Sequence, residues 1–317
     1  MKKRLALPVL CLIILAACTT VGPSNDAPES AEPTETGFTP TALSPSQTFT
    51  PAPTLTATPG PTPTPRLATY FHFEPGINPL TGLSVADPNL LARRPVMVKV
   101  SNWPREGRPH AGLTGADLVF EYFIGHQMNR FLAIYYGEDA DVIGPVRSGR
   151  LVDAQLGQLY QGILGYGNAD PQVDEVLMEA LGDRAISFNE APCPAMCGES
   201  THSATGVFAN SSALTDFAVS LGVDNTPPDL RGMYFQAEPP AGDASGNQLR
   251  LEYADFSIME WRYDPEAKQY TLWMEKTTDD GLDLALMTDR NNDKAMQLDN
   301  LIVMYAEYIE YAPSLHD

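Results

Sequence analysis

The sequence predicts an α+β protein: a mixed α/β N-terminal domain and a smaller β-rich C-terminal domain, following a disordered Thr/Pro-rich stalk. Three observations lead there. Apolar residues alternate at period two over several short stretches, which marks strands. Between residues 148 and 222 they recur every three or four positions, the spacing of helices with one apolar face. Ahead of both lies a long segment with neither period.

Residues 94–101 place Val96, Val98 and Val100 on one face of a strand and Met97 and Lys99 on the other. Residues 118–124 and 130–136 are two further strands, joined by 125–129 as a hairpin. Ser148 precedes Leu151, Val152, Leu156, Leu159 and Tyr160 at helical spacing and is expected to cap that helix. A short apolar strand covers 163–167. Asp170-Pro171 then opens a helix carrying Val173, Val176, Leu177, Ala180 and Leu181, which Gly182 stops. Residues 211–221 make a third helix, with Leu214, Phe217, Ala218 and Leu221 on one side and Gly222 at its end.

Beyond Pro227-Pro228 the pattern predicts strands only, over 232–236, 248–253, 257–263, 269–275 and 301–311, with turn chemistry at Asp264-Pro265-Glu266-Ala267-Lys268. The domains are therefore set at 67–228 and 229–317. The last strand carries apolar residues on both alternating faces and calls for a neighbour on each edge. The C-terminal domain is accordingly expected to be truncated at Asp317, with apolar surface exposed along 301–311.

The N-terminus reads as an address. Lys2, Lys3 and Arg4 precede an apolar run over 5–15, too short for a comfortable membrane span, and Leu15-Ala16-Ala17-Cys18 places small residues before a cysteine. This is the pattern of a lipoprotein signal peptide over 1–17. The Cys18 sulfur would take a diacylglycerol group and, after cleavage, become the acylated N-terminus. Two or more acyl chains, palmitate among them, anchor a protein stably where one is marginal. Residues 19–66 contain 11 Pro and 13 Thr in 48 positions, so 18–66 is expected to be a disordered linker without a core. Extended polyproline II would reach at most roughly 150 Å at about 3.1 Å per residue.

With 317 residues and 43% hydrophobic content the chain has enough apolar material for one or two globular domains. Forty acidic against 20 basic side chains give a net charge of −20, and loss of three basic residues with the signal makes it more negative still. Such a chain lacks the basic footprint that nucleic acid requires and does not adhere to anionic membranes by charge alone. The lipid has to do the holding.

A succession of motifs carries a resemblance. Asn78-Pro79-Leu80-Thr81-Gly82 is followed by Arg94-Pro95-Val96, Asn102, Arg108-Pro109 and Gly112-Leu113. Then come Ala116-Asp117-Leu118-Val119-Phe120-Glu121, Arg130-Phe131-Leu132-Ala133 and Ile143-Gly144-Pro145-Val146-Arg147-Ser148. In combination these resemble the YerB-like bacterial lipoproteins, well over residues 78–166 and more loosely beyond. The resemblance implies an α/β domain with a β-rich partner, an extracytoplasmic address at the cell membrane, and no assigned reaction.

The polar set within that segment is Asn102, Arg108, Asp117, Glu121, Arg130, Arg147, Ser148 and Arg150. Glu121 and Arg130 belong to adjacent strands of one hairpin, so one reading is an ion pair across it. The other is that Arg130, Arg147 and Arg150 converge and bind an anionic group, helped by the N-terminus of the helix that follows. Ser148 as a nucleophile lacks the Gly-x-Ser-x-Gly elbow. Asp117, Glu121, Asp170 and Asp174 keep open an enzyme acting on wall glycan or peptide.

Cys193 and Cys197 form the second cysteine cluster, where an extracytoplasmic address favours a disulfide. With His202 and a fourth ligand from Glu199 or His110 they would instead hold zinc; two free thiols are the third option. Residues 289–293 space oxygen ligands as calcium loops do, but Lys294 and Asn300 stand where such a loop needs Gly and Glu, so a solvated loop is expected. No cofactor and no resident metal are predicted. The expectation for function is a membrane-anchored lipoprotein with a non-catalytic binding or assembly role toward an envelope protein or polymer.

Overall fold

The computed structural model describes residues 73–198, 205–236, 242, 244–276 and 283–306. The expected signal peptide, Cys18 and the stalk lie outside the described residues, as do Glu199 and His202.

The first sheet contains β1 (Val96–Ser101), β2 (Leu118–Phe123), β3 (Asn129–Tyr135), β4 (Ile163–Tyr166) and β5 (Ala185–Ser187) in the order β2-β3-β1-β4-β5. β2, β3 and β1 are antiparallel neighbours, whereas β1, β4 and β5 run parallel. The parallel half is connected through α1 (Leu151–Tyr160) and α2 (Pro171–Leu181), as parallel strands require crossovers. Central β1 is buried along its whole length, so both of its alternating faces need cover. Met97, Leu132, Ile134, Leu164 and Tyr166 face α1 and α2, meeting Ala154, Val173, Leu177 and Leu181 in one core. Gly157 lets the two helices close up, because a Cβ there would lie 2.7 Å from the Leu181 side chain.

On the opposite face Val96, Val98, Val100, Phe131, Ala133 and Tyr135 enter a second core. A short ribbon of β6 (Met196–Cys197) and β7 (Phe208–Ala209) leads into α3 (Ser211–Ser220), which contributes Leu214 and Ala218 there. The same core takes Met259, Trp261, Leu272 and Met274 from the second sheet. That sheet comprises β8 (Gln248–Ala254), β9 (Ser257–Asp264), β10 (Gln269–Glu275), β11 (Leu284–Leu286) and β12 (Gln297–Leu298), all antiparallel, in the order β11-β10-β9-β8 with β12 also on β10. Mixed helices and sheets make this the α+β architecture the periodicities predict.

Two expected strands are corrected. Residues 232–236 form none: Met233 packs beside the helix-facing core and Phe235 stacks edge-on to Phe73 at 6.3 Å, so the apolar residues of this stretch cover the first sheet's surroundings and do not alternate in a ladder. The described part of 301–311, residues 301–306, also forms no strand, and it exposes Ile302, Met304 and Tyr305, the last at 97%. The rest of that segment lies outside the described residues.

Candidate functional site

The carboxyl ends of parallel strands β1 and β4 face residues 147–150, which wedge between them. The Arg147 N–H donates to Lys99 O at 2.9 Å, the Gly167 N–H to Arg147 O at 2.8 Å and the Gly149 N–H to Asn168 O at 2.8 Å. Gly149 is needed for this close approach, since a Cβ would come within 2.7 Å of Leu177. α1 starts directly afterwards, and its first turn is closed by Asp153, whose Oδ2 accepts the Arg150 N–H at 2.7 Å. The expected capping role of Ser148 is therefore corrected. Arg150 holds the cap position, and Ser148, two residues too early, donates its hydroxyl to Asn168 Oδ1 at 2.7 Å.

Beneath this turn lies a charged group that sequence reasoning passed over. Lys99 points from β1 toward α1, fully buried, with Nζ 3.2 Å from Asp153 Oδ1 and bonded to the Tyr122 hydroxyl, which itself donates to Asp153. Burial pulls the Lys99 ammonium down to about 7 against the opposing attraction of Asp153, and Arg130 and Arg150 lower it further. The signal that could have found it is a lysine inside an otherwise apolar strand, on the face that helices must cover.

The three arginines come together above Lys99. Arg130, only 9% exposed, donates Nη1 to Ser148 O at 2.7 Å, and Arg150 donates Nη1 to Gly149 O at 2.8 Å. Burial first, then the charges of Arg150 and Arg147, depress Arg130 to about 9. Burial and Arg150 likewise lower Arg147. Within the described residues neither Arg130 nor Arg147 has a carboxylate at ion-pair distance, and the buried Arg147 Nε has no acceptor.

The remaining predicted residues lie elsewhere. The expected ion pair of Glu121 with Arg130 is corrected: the hairpin register sets Glu121 opposite Phe131 and Arg130 opposite Tyr122, so the two side chains leave opposite faces of the sheet. Glu121 faces the second sheet, where it accepts from Asn129 Nδ2 at 2.7 Å and the Tyr253 hydroxyl at 2.6 Å, and burial raises its carboxyl. Asn102 donates to Asn129 Oδ1 at 2.7 Å and accepts from Arg108 Nε at 3.1 Å. Arg108 continues to Glu275 at 3.1 Å, completing a buried polar seam between the sheets. Asp117 is separate again, holding Asn78 at 2.7 Å and the Tyr136 and Gly137 N–H groups at 2.6 and 2.9 Å.

Asp170 caps α2 through the Gln172 N–H, and Asp174 accepts the Tyr166 hydroxyl at 2.6 Å. Cys193 and Cys197 are joined by a disulfide. Among the described residues no three His, Cys, Asp or Glu side chains gather as a metal site. A shallow recess of about 290 Å³ lined by Pro192, Pro194, Ala195, Ala213, Asp216 and Phe217 shares no residue with the arginine cluster. The loop at 289–293 is solvated over residues 290–293, as expected, but its first residue is not: Asp289 is fully buried and accepts the Gly112 and Thr114 N–H groups at 3.0 and 3.1 Å.

Residues 80–223, most of this α/β portion, match the N-terminal domain of DUF3048, described as a protein of unknown function. The chain is homologous to YerB of Bacillus subtilis (strain 168), whose name places it among lipoproteins, with 27% identity over 237 residues covering 73% of this chain and 67% of that one. The crystal structure of Bacillus subtilis YerB superposes with a TM-score of 0.57 at 25% identity, over 69% of this chain and 71% of the other. Among the described residues no helix is long and apolar enough to cross a membrane.

Proposed function

We propose that this protein is an extracytoplasmic lipoprotein, tethered to the cell membrane by acylated Cys18, whose folded part binds an envelope protein or polymer without chemistry of its own. The Cys18 motif and homology to a protein named as a lipoprotein support the address. The binding role rests on one observation: in a chain of net charge −20, Arg130, Arg147, Arg150 and Lys99 gather at one end of the first sheet near Asp153, and among the described residues neither Arg130 nor Arg147 has a carboxylate at ion-pair distance. Positive charge concentrated against the overall sign favours an anionic partner. The enzyme reading draws less support, because Asp117, Glu121, Asp170 and Asp174 each serve a separate hydrogen-bonding task and no two of them share a partner.

Sedimentation of the full-length chain with purified cell-wall material tests this. Binding that is lost in Arg130→Gln/Arg147→Gln/Arg150→Gln while folding is kept is the expected result. Release of soluble wall fragments that stops on changing Asp117 or Glu121 to the amide would establish the enzyme instead.

A further inference from the structure

We propose that Arg130, Arg147 and Arg150, at the carboxyl ends of β1 and β4 and the N-terminus of α1, form a receptor for a phosphate group carried by the ligand. This rests on the binding role just argued and deepens it. The first ground is missing compensation. Arg130 is nine-tenths buried without an ion pair, and Arg147 brings a second guanidinium whose Nε is buried with no acceptor among the described residues. A buried charge without a counter-ion is costly even when hydrogen-bonded, and an anionic ligand relieves that cost. Asp153 compensates Arg130 only in part: its charge reaches the guanidinium, but its oxygens bond Lys99, Tyr122 and the Arg150 N–H and it forms no ion pair with Arg130.

The second ground is position. In open sheets with parallel strands, ligands sit in the crevice beyond the strands' carboxyl ends, and residues 147–150 occupy that place between β1 and β4. α1 is ten residues long and directs its positive end there, as anion sites do. The third ground is stoichiometry. Among the described residues Arg130 and Arg147 bring two guanidinium charges with no carboxylate at ion-pair distance, an excess that a single carboxylate ligand reduces by one, whereas a phosphate monoester supplies about two and accepts several guanidinium forks at once.

The test is titration of the full-length chain in detergent with inorganic phosphate, glycerol 3-phosphate and acetate, followed by calorimetry. Phosphate and glycerol 3-phosphate should bind at least tenfold more tightly than acetate, and affinity should fall as salt rises. Arg147→Gln, which removes no side-chain hydrogen bond or ion pair among the described residues, should lose tenfold or more in phosphate affinity with an unchanged melting temperature in the absence of ligand. Vesicles of phosphatidylglycerol in phosphatidylcholine identify the source: binding to them that Arg147→Gln abolishes assigns a lipid headgroup, and binding of glycerol 3-phosphate alone assigns a soluble or polymeric phosphate. No heat with phosphate from the folded wild type, equal binding of acetate, or unchanged affinity in Arg147→Gln overturns the receptor. If phosphate binds but cell-wall material does not sediment with the chain, the receptor stands and the wall-polymer reading falls. Sedimentation that persists in Arg147→Gln without phosphate binding has the opposite meaning.

Discussion

Glu121 and Arg130, nine positions apart on one hairpin, never meet: the register sets them one pair out of line and on opposite faces of the first sheet. Glu121 belongs to the seam with the second sheet and Arg130 to the cluster above α1. A double-mutant cycle of Glu121→Gln and Arg130→Gln, read by urea unfolding, should therefore give a coupling energy below about 0.5 kcal/mol. A coupling of about 1 kcal/mol or more would restore an ion pair between them.

Lys99 and Asp153 should respond unequally to removal. Asp153 compensates Lys99, accepts from Tyr122 and closes the first turn of α1. Asp153→Ala leaves a buried ammonium among arginines and frays the helix start, which costs about 3–5 kcal/mol. Lys99→Met removes a charge that the surroundings already disfavour while Tyr122 and the Arg150 N–H still hold Asp153, so its cost should be less than half as large. Equal losses would mean that Asp153 has no role beyond the pair.

How far these pairings were legible differs by element. The strands β1 to β3 alternate cleanly because each face meets a core, and α2 and α3 announce their ends through Asp170, Gly182 and Gly222. β5, β11 and β12 have two or three residues, too few to show a period. The apolar run at 232–236 is genuine, but its residues cover surfaces made by distant parts of the chain, which no local pattern encodes. Arg147, Ser148 and Arg150 stood out in sequence as a basic loop. Lys99, Tyr122 and Asp153 did not, since only the β2-β3-β1 order and the placement of α1 bring them together.

Acid should destabilise the fold through His110. Its ring is buried against Phe131, with Nε2 2.8 Å from Ser101 O, and burial followed by the Arg108 charge pulls it down to about 3. Between about 3 and the ordinary 6.5 the unfolded chain binds a proton that the folded chain refuses, so stability falls as pH drops through this window, by up to about 1.4 kcal/mol per pH unit. Asp117 and Glu121, both raised by burial, act in the opposite sense. His110→Gln isolates the histidine: the variant should be weaker at pH 7, and its deficit should shrink steadily from pH 6 to pH 4. A deficit that does not change with pH would show that His110 titrates alike in both states.

The proposed acylation of Cys18 predicts that membrane attachment depends on this thiol. Cys18→Ser should leave the membrane fraction or accumulate as uncleaved precursor. Processed protein that still sediments with membranes at high salt would require a second anchor.

Asp289 should be among the costliest single positions outside the apolar cores. It looks like a surface acid in a polar run, Asp289-Arg290-Asn291-Asn292-Asp293, yet its carboxylate is enclosed. Oδ1 accepts the Gly112 and Asn291 N–H groups at 3.0 and 2.9 Å, and Oδ2 accepts the Thr114 N–H and hydroxyl at 3.1 and 3.0 Å. Arg290 reinforces the same join through Pro109 O and Gly107 O at 2.7 and 2.6 Å. The acid thus fastens the loop after β11 to residues 107–114 of the first sheet's connection. Asp289→Ala leaves buried N–H groups without acceptors, at about 1–3 kcal/mol each, so unfolding should come at least about 3 kcal/mol earlier. Asp289→Asn should recover part of this, because one amide oxygen still accepts while its NH₂ faces donors. Asp293→Asn, exposed and at a left-handed φ of 56° that asparagine tolerates, should change stability by less than about 0.5 kcal/mol. Calcium chloride should protect none of these variants. Equal effects at Asp289 and Asp293 would deny Asp289 this fastening role, and stabilisation by calcium that Asp289→Ala abolishes would make the segment an ion-binding loop.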